Sequence, residues 1–185
     1  MKIRFVRHGR PDFDTSMQIQ RSGICAALKL YDDAGVSEPC STQNHWTSAS
    51  KSTVVTSDLQ RAIDSAHLMG VEISEQSSLL REARLPHPNM LPWSMSWKTA
   101  IAICRVAWLF GYSRNADGIN HDRARARRAA KWLLVLAEEQ DEMVVIGHGI
   151  MNRMIIEQLV SSGWSRTESS HNGYWSYQVI SLAAD

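Results

Sequence analysis

Apolar and polar positions along the chain predict strands that alternate with helices. Short apolar runs, several of them β-branched, predict strands at residues 2–6, 53–56, 143–146 and about 175–182, with a further short strand at 70–73. Apolar residues at helical spacing predict the elements between them, at about 16–33, 61–69, 121–139 and 151–160. Strands that alternate with helices predict an α/β sandwich with a mostly parallel central sheet.

One of these helices is expected to begin directly after the strand at 53–56. Ser57-Asp58-Leu59-Gln60 has the form of a capping box, which places Arg61 in or just after the first helical turn. Helix N-termini favour anions, and a guanidinium there adds a bidentate donor. Residues 36–52, before the strand, are polar and rich in Ser and Thr, and predict a mixture of loop and weak helix.

A stripe of large residues follows a proline-rich segment in the middle of the chain. Its members recur at helical spacing and are Trp93, Trp97, Ile101, Cys104 and Trp108. The pattern favours a stripe that packs on the core or on a lid. A helix lying on a membrane surface is the weaker interpretation, because Lys98 and Arg105 supply few basic residues. If the stripe is exposed, a homodimer contact is the alternative.

A run of arginines at 123–128 raises the question of nucleic-acid binding. The formal net charge of the whole chain is +1, so a solvated helix face explains the run more simply than a nucleic-acid surface. No nucleic-acid partner is therefore expected.

Composition places the chain among ordinary globular proteins. Its 185 residues are 44% hydrophobic and 21% charged, which fits a single domain spanning 1–185. The three cysteines are odd in number and widely spaced, so they predict neither a disulfide framework nor a zinc site. No signal peptide and no membrane span are expected, and a cytoplasmic location fits best.

Two of the predicted strands end in the same way. Residues 2–6 run into Arg7-His8-Gly9, and residues 143–146 run into Gly147-His148-Gly149. Open α/β sheets bind ligands at the carboxyl ends of their strands. The two endings therefore predict one shared site.

The side chains expected at this site suit a tetrahedral dianion. Arg7 and Arg61 would supply forked donors that match phosphate oxygens, and each charge-assisted hydrogen bond contributes about 1.5–3 kcal/mol. Gly9 and Gly149 let the backbone approach the ligand. A metal on the two histidines is disfavoured, since the nearby arginines would repel a dication.

Catalysis needs a nucleophile and a source of protons for the leaving group. His8 can accept the phosphoryl group covalently, while the arginines and His148 stabilise the charge on the transferring oxygens. Glu82 follows an apolar pair and is the candidate acid. Asp12, Asp14 and His87 are weaker candidates for that role, and they stay open.

Four motifs occur in a recognisable order. They are Arg7-His8-Gly9, residues 56–62 (Thr-Ser-Asp-Leu-Gln-Arg-Ala), Leu80-Arg81-Glu82 and Gly147-His148-Gly149. In these motifs the chain resembles the histidine phosphatase superfamily, also called phosphoglycerate mutase-like, over nearly its whole length. The resemblance implies a three-layer α/β/α sandwich, His8 as the phospho-accepting nucleophile, and Arg7, Arg61 and His148 as phosphoryl ligands. It also implies Glu82 as the proton donor and no metal or organic cofactor.

The sequence departs from the family pattern at two places. Arg10 follows the first glycine, where many members carry Glu or Gln, and would contact a second anionic group or point to solvent. The segment after Glu82 carries the tryptophan stripe in place of a glycine-rich stretch. Asn152 and Arg153 would line the rim or simply begin a helix, with an ordinary helical role slightly favoured for Asn152.

The expected function is hydrolysis of a small phosphomonoester through a phosphohistidine on His8. Mutase-type transfer uses the same chemistry, and the compact length favours the phosphatase. A non-catalytic phosphate-binding module is the alternative from another class, and the position of Glu82 discriminates between the two. No membrane partner is expected, and a homodimer is possible.

Overall fold

A computed structural model describes residues 1–38, 52–138, 140–170 and 172–182. The strands in these ranges are β1 (Lys2–Arg7), β2 (Gln18–Ile19), β3 (Thr53–Ser57), β4 (Glu75–Ser77), β5 (Met95–Ser96), β6 (Glu142–Gly147), β7 (Ser165–Ser169) and β8 (Tyr177–Ser181). The α-helices are α1 (Ile24–Asp33), α2 (Gln60–Leu68), α3 (Trp97–Leu109), α4 (Ile119–Ala137) and α5 (Gly149–Ser161).

Six strands form the central sheet, in the order β4-β3-β6-β1-β8-β7. Strands β4, β3, β6 and β1 run parallel, whereas β8 pairs antiparallel with β1 and β7 pairs antiparallel with β8. This arrangement confirms the predicted α/β fold with a mostly parallel sheet.

Helices pack on both faces of this sheet because alternate strand residues point to opposite sides. Ile3 and Phe5 of β1 belong to a core cluster with residues of α4 and α5. Val6 belongs to a second cluster, with Ala62 and Ala66 of α2. Burial on both faces explains why the central strands are almost continuously apolar.

A third apolar cluster lies between α1 and α3. It contains Ile24 and Ala27 of α1 with Trp97 and Ala100 of α3, and β2 pairs with β5 beside it. In the described part of the chain, no helix combines the length and apolar character that crossing a bilayer requires.

Several predicted element boundaries are wrong. The helix predicted from 16 begins at Ile24, because residues 18–19 pair with β5 instead. The strand predicted at 70–73 is replaced by β4, which pairs with β3 and lies a few residues later in the chain. Strand β7 follows no apolar pattern and was not predicted. Most of the segment predicted as loop and weak helix, at 36–52, lies outside the described residues.

The prediction that Ser57-Asp58-Leu59-Gln60 forms a capping box is also wrong. Leu59 occupies the N-cap position of α2 in an extended conformation, with no side-chain hydrogen bond to the helix. The Ser57 hydroxyl accepts a hydrogen bond from the Leu59 N–H at 3.3 Å, inside the turn that precedes the helix. Arg61 nevertheless lies in the first turn of α2, as the box predicted.

The tryptophan stripe is only partly a core stripe. Trp97, Cys104 and Trp108 are buried on α3. Trp93 precedes the helix and is 62% exposed. The arginine run on α4 is likewise mixed, since Arg125 forms an ion pair with the buried Asp122 while Arg123 is exposed.

Candidate active site

The two strand endings meet at the carboxyl edge of the sheet. Arg7 is in register with Gly147, and the His8 N–H donates to the Gly147 carbonyl at 3.0 Å. The rings of His8 and His148 lie 4.9 Å apart between centroids. The sequence prediction of one shared histidine pair therefore agrees with the geometry.

His8 is held in one orientation and is only 2% exposed. Its Nδ1 lies 2.6 Å from the Gly9 carbonyl oxygen. Because a carbonyl only accepts, Nδ1 carries the proton and Nε2 has a free lone pair. Burial lowers the pKa of His8 to about 3, the positive charges of Arg61 and Arg7 act in the same direction, and the bond to Gly9 opposes them. The imidazole is therefore neutral and nucleophilic at neutral pH.

His148 lies deeper and has a different environment. It occupies the N-cap position of α5, and neither ring nitrogen has a hydrogen-bond partner among the described residues. Burial holds the pKa of His148 well below its usual range, and its neighbour His8 and the two arginines lower it further. A buried polar ring without a protein partner leaves its nitrogens available to a water or a ligand atom.

Arg61 approaches the histidines from α2 and is 1% exposed. Its Nη1 donates to the carbonyls of Tyr31 and Asp32 at 3.3 and 3.1 Å. Nη2 lies 3.5 Å from the Asp32 carboxylate, while the buried Nε has no partner among the described residues. Part of the guanidinium is thus fixed by the protein and part is left for a ligand.

Arg7 leaves a similar donor unused. Its Nε is buried and has no hydrogen-bond partner within the described ranges. Its guanidinium carbon lies 4.6 Å from the centroid of the Tyr174 ring. Two buried guanidinium donors and an unpartnered imidazole suit an anion with several oxygens.

Glu82 follows a short 3-10 helix (Ser78–Leu80) and reaches the N-terminus of α5. Its carboxylate accepts hydrogen bonds from the N–H groups of Ala83 and Met151, each at 3.1 Å, and from Ile150 at 3.4 Å. It lines the same cavity as Arg7 and Arg61. The predicted acid therefore shares a cavity with the two arginines, and three backbone donors fix its direction.

Arg125 of α4 supports this position, and the sequence interpretation missed it. Its guanidinium donates to the carbonyls of Arg81 and Glu82 and to the carboxylate of Asp122. Only its place on a buried side of α4 distinguishes it from its solvated neighbours, and a run of arginines carries no such signal.

The two glycines contribute in different ways. A Cβ on Gly9 would collide with the Trp175 ring and with Val36. The Gly9 N–H donates to the Ser65 hydroxyl at 2.9 Å, and that hydroxyl donates to the Arg61 carbonyl. A Cβ on Gly149 would lie 3.4 Å from Arg7 Nε. Gly9 permits close packing, whereas Gly149 leaves room for Arg7.

Asn152 links helix α5 to strand β1 beneath the site. Its Nδ2 donates to the Val6 carbonyl at 3.0 Å, which ties α5 to β1, and its Oδ1 would meet a Cβ on Gly147. The side chain is buried. The expectation of an ordinary early-helix residue is therefore wrong.

A cavity of about 1240 Å³ opens above these side chains. It is lined by Arg10, Lys29, Arg84, Lys98 and Arg105, and none of these five side chains has a hydrogen-bond or ion-pair partner among the described residues. His87 also lines the cavity. Asp12 and Asp14 bond instead to nearby serines, at Ser37 and Ser16.

The described residues offer no evident metal site. In these ranges no three or more His, Cys, Asp and Glu side chains are arranged to hold a metal ion.

Fold and site together define an α/β protein with paired histidines and arginines at the carboxyl edge of a parallel sheet. The chain belongs to the histidine phosphatase superfamily (branch 1), whose family model matches residues 3–185. Among curated protein sequences, none matches the chain.

Solved structures share this fold at low sequence identity. A phosphoserine phosphatase from Entamoeba histolytica, in complex with 3-phosphoglyceric acid, is similar at a TM-score of 0.60 and 16% identity, covering 96% of this chain and 89% of its own. Mycobacterial glucosyl-3-phosphoglycerate phosphatase is similar at a TM-score of 0.57 and 18% identity, and the match covers 97% of this chain and 89% of that protein. Phosphoglycerate mutase from Thermus thermophilus is similar at a TM-score of 0.54 and 18% identity, and the match covers 85% of this chain and 83% of that protein.

Proposed function

We propose that this protein is a phosphatase that hydrolyses a small phosphomonoester through a phosphohistidine on His8. The observation that carries the proposal is a set of buried polar atoms without partners around one imidazole. They are Arg7 Nε, Arg61 Nε and both ring nitrogens of His148, unpartnered among the described residues. A phosphoryl group presents enough oxygens to satisfy such donors.

The reaction takes two steps. His8 Nε2 attacks phosphorus, the ester P–O bond breaks, and the leaving alkoxide takes a proton from the Glu82 carboxyl. Water then attacks the phosphohistidine, gives a proton back to Glu82, and the P–N bond breaks to release phosphate and neutral His8. Arg7, Arg61 and His148 bind the phosphoryl oxygens throughout and stabilise their charge in both transition states.

The cavity supports a substrate with more negative charge than one phosphate. Five cationic side chains without partners among the described residues line it, including Arg10, which follows the first motif directly. An additional carboxylate or phosphate on the substrate would pair with them, since either group matches the guanidinium fork.

We place the reaction in the cytoplasm, as the widely spaced cysteines suggest; Cys25 and Cys104 are unpaired thiols.

The test is hydrolysis of an aryl phosphate in EDTA by the wild type and by His8→Ala. We expect wild-type turnover that EDTA leaves unchanged and that His8→Ala abolishes, with base-quenched wild type carrying one phosphate on His8 by mass spectrometry. Adding a small alcohol as acceptor separates hydrolysis from mutase-type transfer, because transfer would form the alcohol's phosphate ester. Turnover that survives His8→Ala would refute the proposal.

A non-catalytic phosphate-binding module is the second candidate, because three backbone N–H groups already engage the Glu82 carboxylate. It predicts that inorganic phosphate protects the wild type against thermal unfolding while aryl phosphate is not hydrolysed. An aryl phosphate has a good leaving group, so a constrained acid alone would not prevent its turnover.

A further inference from the structure

Two tyrosine rings lie against the two arginines of the site. The Arg7 guanidinium carbon is 4.6 Å from the Tyr174 centroid, and that of Arg61 is 5.1 Å from the Tyr31 centroid. Tyr174 also contacts His8, at 5.7 Å between ring centroids. A cation bound over a ring face keeps its N–H edge available, because the attraction is to the face.

Buried arginines are usually held by carboxylates, and here this support is weak. Among the described residues Arg7 has no carboxylate partner, and Asp32, which is 47% exposed, reaches Arg61 only at 3.5 Å. A carboxylate in ideal geometry would occupy the forked donors that a phosphate needs. The aromatic faces contact both guanidinium groups without using their Nε donors, while Nη1 of Arg61 is held in addition by the carbonyls of Tyr31 and Asp32.

The two rings are themselves anchored. Tyr31 packs against Phe13 and Trp97 of the third cluster, with centroids 5.4 and 5.3 Å away. It is hydrogen-bonded to Tyr174, and its burial raises the pKa of Tyr31 to about 12, so the hydroxyl is protonated at neutral pH.

The backbone next to Tyr174 is also constrained. Trp175 has a positive φ of 60°, its N–H donates to the His8 carbonyl at 3.4 Å, and its ring packs against Gly9. A non-glycine residue in this conformation costs about 1–3 kcal/mol and persists where the surroundings enforce it. The turn that carries Tyr174 is thus tied to the strand that carries His8.

We propose that Tyr174 and Tyr31 are positioning residues, which hold Arg7 and Arg61 over ring faces so that the Nε–H of each guanidinium stays free for the phosphoryl group. This inference rests on the proposed function, because it gives the two arginines their ligand. An alternative for Tyr174 is a cap that keeps ligands away from His8. The two roles predict opposite changes in phosphate affinity when the ring is removed: a positioning residue predicts weaker binding, and a cap predicts tighter binding.

The experiment measures the affinity of inorganic phosphate by calorimetry and the KM and kcat for an aryl phosphate. Tyr174→Leu removes the ring, whereas Tyr174→Phe keeps the ring and loses the hydroxyl. We expect Tyr174→Leu to weaken phosphate binding about 5- to 30-fold, to raise KM by a similar factor, and to change kcat less. Tyr174→Phe should stay within about 3-fold of the wild type, because the ring provides the cation contact.

Tyr177→Leu is the matched control. Tyr177 lies under Arg4 at 5.3 Å, and Arg4 pairs with Glu142 outside the cavity. This variant loses the same type of contact and should bind phosphate as the wild type does. In an Arg7→Ala background, Tyr174→Leu should have no further effect on phosphate affinity, a coupling that a purely structural loss would not produce.

The outcomes distinguish failure of the positioning role from failure of the proposed function. If the wild type neither binds phosphate nor turns over, the proposed function fails and the positioning role fails with it. If the wild type binds phosphate and Tyr174→Leu binds equally or more tightly, the positioning role is refuted while the proposed function stands. Equal losses in Tyr174→Leu and Tyr177→Leu would also refute it.

Discussion

The endings of β1 and β6 carry the same His-Gly pair, yet they present their histidines differently. After β1 the chain enters a loop, and the Gly9 carbonyl fixes Nδ1 of His8. After β6 the chain enters α5 at once, and His148 becomes the N-cap residue with both nitrogens unpartnered among the described residues. A histidine tethered at one nitrogen suits directed attack, and one at a helix N-terminus suits anion binding.

The element that follows each strand sets how its histidine is held. A loop lets the backbone turn back and bond its own side chain. A helix places His148 directly before the N–H groups of Ile150 and Met151, which donate to the Glu82 carboxylate. We therefore expect the two histidines to be unequal in every assay.

The sharpest test substitutes each histidine by Asn. His8→Asn should lower kcat for an aryl phosphate by about 10⁴-fold or more, because the nucleophile is lost. His148→Asn should lower it by about 10²–10³-fold, as does removal of one donor to a charged transition state. Rapid-quench measurement of phosphoenzyme checks both. A phosphorylated His8→Asn enzyme, or a greater loss in His148→Asn, would break the comparison.

Glu82 belongs to the β6 side of the site, because its carboxylate bonds to the first turn of α5. Glu82→Gln keeps the shape and removes the acid. For an alkyl phosphate we expect kcat to fall about 10²–10³-fold, and for an aryl phosphate less than about 10-fold, since a phenolate needs little protonation. The measurement is the ratio of the two rates. Equal losses on both substrates would assign Glu82 a structural role.

Acid should destabilise the protein through the same histidines. The folded pKa of His8 is about 3 and its ordinary value is 6.5, so the unfolded state binds the proton first as pH falls. Stability is therefore complete above about pH 6.5 and decreases toward pH 3, by about 3 kcal/mol at pH 4.5 from His8 alone. His148 adds to the loss, because burial lowers its pKa as well.

Denaturant unfolding between about pH 7 and pH 4.5 measures this slope. His8→Asn, which does not titrate, should flatten it. An unchanged slope in this variant would contradict the buried neutral state assigned to His8.

Substitutions of the two glycines have the smallest expected effects, and their stability costs still differ between the β1 and β6 endings. Gly9→Ala places a Cβ against the Trp175 ring and Val36, and should cost about 1–3 kcal/mol of stability. Gly149→Ala meets only the flexible Arg7 side chain, at 3.4 Å or more, and should cost less than about 1 kcal/mol while weakening phosphate binding. Thermal melts with and without phosphate test the pair; the reverse order of stabilities would contradict it.

Much of the site was predictable from the sequence, because its main residues follow directly from regular elements. His8 and His148 end apolar β-strands, and Arg61 begins a helix after a third strand. Parallel strands that lie side by side bring their carboxyl ends together, so local patterns sufficed to predict this meeting. The apolar runs of these strands, buried on both faces, also predicted the sheet.

Other features depended on partners that no local pattern specifies. Gln18 and Ile19 fit a helical pattern and instead pair with residues 95–96, because strand pairing overrides weak propensity. The role of Arg125 required α4 to lie against the 3-10 helix before Glu82.

The sequence by itself determined which residues are candidates for the site, since strand endings and motif order are local properties of the chain. The tertiary structure decided how those residues are held. Tyr31 and Tyr174 come from distant segments to lie over Arg61 and Arg7. Only packing between elements far apart in the chain brings a ring face to a guanidinium. No periodic pattern or motif in the sequence indicates such a contact.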